Sequence, residues 1–230
     1  MKPLRLSSEL VYLLSLALLA LAVSLTAAAD FGVSMIVAPA YIVSLKWPAL
    51  TFGQAEYIVQ GIVFVGFCAV MRRVRPLYLV SFVTGLLYGV MLDAWRLIPA
   101  LSPTAVGTAP MPVRIALLLV GMVLTSFSIA LIFRVYIYPQ VYDFFVKGVA
   151  VRYHLNRTRF KQIFDASCLL VSVAMSLLLF GKFHGIGLGT LLMTVCNGFI
   201  IGFFDRLFGK VTDIRPRFAK LAAHFDNNIE

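Results

Sequence analysis

The chain has 230 residues, 61% of them apolar and 13% charged, with a mean hydropathy of +0.94 and a formal charge of +10. Soluble domains carry roughly 45–50% apolar and about 25% charged residues, so this chain lacks the polar surface to cover a water-facing globule. That excludes an ordinary soluble domain, a disordered chain and a disulfide-stapled secreted module, and it points to a lipid bilayer as the immediate partner.

A spanning helix needs about 20 mostly apolar residues to cross roughly 30 Å of hydrocarbon. In chain order the stretches that qualify, or nearly do, are Val11–Ala29, Ala55–Met71, Leu77–Leu97, Ala116–Phe133, Ile163–Phe180 and Ile186–Phe204. The first has a rival reading as a signal peptide, because Lys2 and Arg5 precede it and Ala27-Ala28-Ala29 resembles a cleavage site. Its length favours a retained span. The connection Phe31–Leu50 is apolar but broken by Pro39 and Pro48, which suits a re-entrant or interfacial segment. The connection Tyr136–Lys161 mixes Phe144, Phe145 and Val149 with Lys147, Arg152 and Arg157, and reads as a short helix opened by Pro139 and lying at the headgroup level.

Six alternating spans divide the 20 basic residues into 16 on one side and four, Lys46, Arg96, Arg114 and Lys182, on the other. The positive-inside rule then places both termini on the cytoplasmic side. The same rule accounts for the basic excess without nucleic acid as a partner. Cys68, Cys168 and Cys196 fall in apolar runs without metal spacing and read as packing residues.

The two halves resemble one unit written twice, repeat 1 over about residues 9–98 and repeat 2 over about 114–208. Ser24 through Asp30 closes the first span as Ser128 through Arg134 closes the fourth. Phe52-Gly-Gln54 precedes the second as Phe160-Lys-Gln162 precedes the fifth. Gly85-x-x-x-Gly89 with Asp93 marks the third as Gly198-x-x-x-Gly202 with Asp205 marks the sixth. An odd number of crossings per unit turns the second copy upside down, an arrangement recurrent in transporters. The expected fold is an all-α membrane protein: six transmembrane helices as two inverted three-helix repeats in one domain over residues 1–209, with a cytoplasmic polar tail over 210–230.

Two further motifs carry a family resemblance. Thr26-Ala-Ala-Ala-Asp-Phe-Gly-Val-Ser34 and Gly185-Ile-Gly-Leu-Gly-Thr190 resemble the first-loop and last-span signatures of the YczE/YyaS/YitT-type bacterial integral membrane proteins. The usual Ser-Pro and nearby Asp of that first loop are absent here, since Met35 follows Ser34, whereas Tyr138-Pro139 and Asp143 are kept in the second half. The resemblance implies a multi-pass inner-membrane transporter, with a vitamin-like molecule as one conceivable solute.

Positions three or four apart share a helix face. Asp165, Cys168, Ser172 and Ser176 form one polar stripe; Thr190, Thr194 and Asn197 form another. Ser81, Thr84 and Tyr88 line the third span, and Glu56 with Gln60 the second. If the stripes converge, Asn197, Thr194, Thr190, Asp165, Ser172, Thr84, Tyr88 and Gln60 are the candidate solute contacts; as single residues, Ser and Thr serve equally as interhelical glue. Asp30 and Glu56 near one surface, and Arg134 and Asp143 near the other, are candidate gating or coupling charges, or simply charges reaching water. Gly185, Gly187 and Gly189 suit either an unwound ligand-binding turn or a tight loop. No motif supports enzymatic chemistry, a metal site or a cofactor. The resulting expectation is a secondary transporter of a small solute working by alternating access, possible as a homodimer. The alternatives are a substrate-binding subunit that needs an ATPase partner, and an assembly partner of another membrane protein.

Overall fold

The computed structural model describes residues 4–218; of the expected polar tail, residues 219–230 lie outside them. Eight α-helices make up most of it: α1 (Ser8–Ala29), α2 (Ala38–Lys46), α3 (Phe52–Met71), α4 (Leu79–Trp95), α5 (Met111–Ile132), α6 (Val141–Arg152), α7 (Arg157–Phe180) and α8 (Leu188–Val211). Two short strands, β1 (Leu4–Ser7) and β2 (Thr212–Arg215), pair in parallel with Leu4 opposite Thr212.

Five helices, α1, α3, α5, α7 and α8, are long and apolar enough to cross a membrane. The sixth expected span is shorter. A 3-10 turn occupies Pro76–Tyr78 and α4 ends at Trp95, leaving 17 residues, or about 25 Å at 1.5 Å per residue. The ends are set by local chemistry. Ser7 caps α1 by accepting the Leu10 N–H at 3.4 Å. Thr51 and Gln54 form a reciprocal capping box at the start of α3. Arg114 donates from Nε to the Ala29 carbonyl at 2.8 Å and pairs with Asp30 at 3.3 Å, which places a cation at the negative end of α1.

Helix α1 is the spine, packed along α5 and against α4. Helix α8 lies on the far side of α5, while α3 joins α4, α2 and α6, and α7 touches α2 and α6. The core follows from this arrangement: Leu16, Ala20, Val23 and Ala27 of α1 meet Tyr41, Phe52, Tyr88 and Leu92. A second, aromatic cluster joins Phe67, Tyr78, Tyr138 and Phe144, with ring centroids 4.8–5.5 Å apart, a spacing suited to edge and offset contacts. Helices α7 and α8 bury little of their surface and turn Leu170, Leu178, Val195 and Phe199 outward, as lipid-facing helices do.

The connection 136–161 departs from expectation. Instead of lying along a surface, α6 is packed inside the bundle, with Val141, Tyr142, Phe144, Val146, Val149 and Ala150 buried. Apolar residues on most of its circumference leave no wet face for a headgroup-level helix. The connection 31–50 contains α2, nine residues with Pro39 in the first turn and Ala38, Ala40, Tyr41 and Ile42 buried. It is an inserted helix too short to span.

Candidate functional site

Helix α3 carries Glu56 one turn beyond its capping box and Gln60 one turn further, and both side chains are fully buried. The Gln60 amide donates to Glu56 Oε2 at 3.2 Å and to Gln140 Oε1 at 3.4 Å. From the first turn of α6, the Tyr142 hydroxyl donates to the same Oε2 at 3.0 Å. Burial, reinforced by the Glu56 carboxylate, holds the Tyr142 phenol well above the ordinary tyrosine range, so it remains a donor. Gly85 of α4 makes room for this layer: a Cβ there would collide with the Gln60 carbonyl oxygen.

Four polar atoms of the cluster are buried without a hydrogen-bond partner: Glu56 Oε1, Gln60 Oε1, Tyr88 OH and Gln140 Nε2. Buried polar groups are nearly always paired, so this concentration within one layer is unusual. No basic side chain pairs with Glu56 among the described residues, and its neighbours there are Gln60 and Tyr142. One layer away, the Tyr12 hydroxyl lies 2.8 Å from Thr84 Oγ1, which reaches the carbonyls of Val80 and Tyr138 at 2.9 and 3.0 Å. Since Thr84 has one proton to give, Tyr12 is the donor to it.

A second charged group sits between α6 and α7. Lys161 lies 2.9 Å from Asp143 and 3.1 Å from Asp165, all three mostly buried. The pairing of Asp143 and Asp165 through one lysine was invisible in the sequence, because Asp143 sits on a different helix.

Gln60, Thr84 and Tyr88 thus come together with Glu56. The other candidates lie elsewhere. Ser172 donates to the Cys168 carbonyl within its own helix. Thr190 is buried where α8 begins and accepts the Gly187 N–H. Thr194 donates to the Thr190 carbonyl, and Asn197 accepts from Ser126 of α5 at 3.4 Å. The sixth-span stripe therefore lies apart from the second- and third-span stripes, on the α5 side, and the fifth-span stripe approaches the Glu56 layer only through Cys168, beyond Tyr142. Asp30 pairs with Arg114, and Arg134 with Asp205 at 2.8 Å, at the bundle ends. Sequence reasoning missed Tyr142 and Gln140; their proximity to Pro139, the opener of an inserted helix, is the one available signal.

The three glycines at the start of α8, Gly185, Gly187 and Gly189, serve the backbone. Gly185 has φ of +78°, its carbonyl accepts the Val33 N–H at 3.4 Å, and Gly189 N–H donates to the Phe31 carbonyl at 2.8 Å. A Cβ on Gly187 or Gly189 would meet that same carbonyl. The segment is a tight loop seated on the first connection. Asp93 accepts the Thr51 hydroxyl at 2.6 Å and the Gly53 N–H at 2.8 Å. Arg96 stacks over Phe52 and Tyr41, 5.3 and 6.0 Å from the ring centroids; burial nevertheless lifts the Tyr41 phenol to about 12.

Residues 6–206 match the model of a family of unknown function, DUF6198. The chain belongs to that family. The match spans all eight helices except the last turn of α8, and it bears a different name from the YczE-type group that the loop motifs resemble. No curated protein and no solved structure matches the chain.

Proposed function

We propose that this family member is a secondary transporter of a small solute, of the kind the YczE-type resemblance implies, with the Glu56 cluster as its coupling site. The observation that carries the reading is a fully buried carboxylate, without a basic partner among the described residues, in a helix long enough to span. Ionisable residues that face the interior of a membrane-spanning bundle are rare and mark ion and substrate pathways.

The element order supports two inverted halves. A long helix, a short inserted helix and two further helices occur as α1–α4 and again as α5–α8. Three packing pairs correspond, α1 with α4 as α5 with α8, α2 with α7 as α6 with α3, and α2 with α3 as α6 with α7, whereas α3 packs on α4 without comparable packing of α7 on α8. The closing serines match in their bonding, Ser24 to the Ala20 carbonyl and Ser128 to the Leu124 carbonyl. In such folds short or broken helices end near the midplane and build the binding site between repeats; on this reading α2 and α6 are those helices. Pairing of β1 with β2 supports both termini on one side, taken as cytoplasmic from the distribution of basic residues.

Proteoliposomes challenged with a metabolite panel under imposed proton and sodium gradients test the proposal. Saturable uptake that Glu56→Gln reduces at least about tenfold is expected; absence of gradient-driven flux for every solute would overturn it. One feature favours an assembly partner instead, because Gly198 and Gly202 have nothing within 4 Å of their would-be Cβ positions.

A further inference from the structure

We infer that the ligand of Glu56 is a proton, and that its arrival loosens the first turn of α6 from α3; this deepens the coupling-site reading and rests on it. The geometry favours a ligand that needs no cavity. Gln60 is pressed against Gly85, and Tyr88, Glu56 and Gln60 are all fully buried, which leaves little place for an organic cation in this arrangement. What Glu56 Oε1 lacks is a donor: it and Gln60 Oε1 are acceptors without partners, and the two unpartnered donors of the layer, the Tyr88 hydroxyl and Gln140 Nε2, hydrogen-bond to neither. One hydrogen on Oε1 supplies that donor and removes the uncompensated charge. The only bond formed is O–H, and the proton comes from and returns to water on whichever side the site opens.

The groups facing Glu56 are consistent with this. They are Gln60 on α3, Tyr88 on α4 and Tyr142 on α6, with Cys168 of α7 beyond Tyr142. Tyr41 of α2 and Arg96 lie around Phe52, toward the start of α3. None is a basic partner hydrogen-bonded to the carboxylate. The ionised carboxylate accepts charge-assisted bonds from Tyr142 and Gln60, and such bonds are roughly twice as strong as neutral ones. Protonation weakens the Tyr142 bond, which together with the Gln60–Gln140 contact ties the beginning of α6 to α3.

Two measurements on the purified full-length protein test this without any solute. Infrared difference spectra across an acid–base titration should show a carboxylic-acid carbonyl band that Glu56→Gln abolishes and Asp165→Asn retains. Amide hydrogen exchange over residues 141–152, corrected for intrinsic pH dependence, should quicken about five- to tenfold on acidification in the wild type. In Glu56→Gln it should stay quick at every pH. Should that variant fail to fold, Tyr142→Phe keeps the acid and removes the donor, so it should shift the band in frequency and quicken exchange at high pH. A band indifferent to both substitutions, or exchange over 141–152 that ignores pH in the wild type, would overturn the inference. Absence of flux in liposomes would sink the carrier reading while leaving the proton site intact. Uptake with full rate and unchanged proton dependence in Glu56→Gln would do the reverse.

Discussion

Asp93 fixes where α3 begins, and with it the position of Glu56 one turn later. Its two oxygens accept the Thr51 hydroxyl and the Gly53 N–H, while Thr51 Oγ1 accepts the Gln54 N–H. The threonine proton is thereby committed to Asp93 and its lone pair to the cap. Negative charge at a helix N-terminus adds a favourable dipole interaction of about 0.3–1 kcal/mol. Hydrogen bonds to a charged group contribute about 1.5–3 kcal/mol each, and the half-buried setting argues for the low end. Asp93→Ala should therefore cost about 3–4 kcal/mol in all, and Asp93→Asn about half of that, since an amide keeps one acceptor but no charge. Unfolding from mixed micelles by graded SDS measures the difference. A double-mutant cycle with Thr51→Val should return a coupling of at least about 1 kcal/mol. A cost below about 0.5 kcal/mol for Asp93→Ala, or a cycle that closes to zero, would refute this account of how α3 is anchored.

Lys161→Met should destabilise by about 2–4 kcal/mol near neutral pH by stranding Asp143 and Asp165 without their cation; adding Asp143→Asn should recover part of the loss in the same titration, and a silent Lys161→Met would remove the triad from the structural account. Gly85→Ala should cost about 1–3 kcal/mol by pushing on Gln60, whereas Gly198→Ala, facing open space, should cost nothing or gain up to about 1 kcal/mol in helix propensity; equal losses would mean that a second copy or another protein covers the outer face of α8.

The all-helical architecture, five helices long enough to span and the apolar, proline-broken character of the first long connection were legible from composition and run length, because hydrocarbon imposes a minimum apolar length and the requirement acts locally. Helix ends were readable where the capping residues were themselves sequence neighbours, as at Thr51 with Gln54. The destination of α6 was not, since a short helix mixing Phe144, Phe145 and Val149 with Asp143, Lys147 and Arg152 fits either a membrane surface or a buried slot, and only the grooves left by α3, α4 and α7 decide between them. The same limit applied to the site. Helical spacing grouped Glu56 with Gln60, and Thr84 with Tyr88, but which stripe faces which depends on how helices rotate against one another. Tertiary packing turned α3 and α4 face to face with α6 and sent Asn197 and Thr194 to the opposite side, beyond α5. Period along a helix is a property of the chain alone; rotation about the helix axis is set by neighbours hundreds of atoms away, and the carboxylate's partners follow from that rotation.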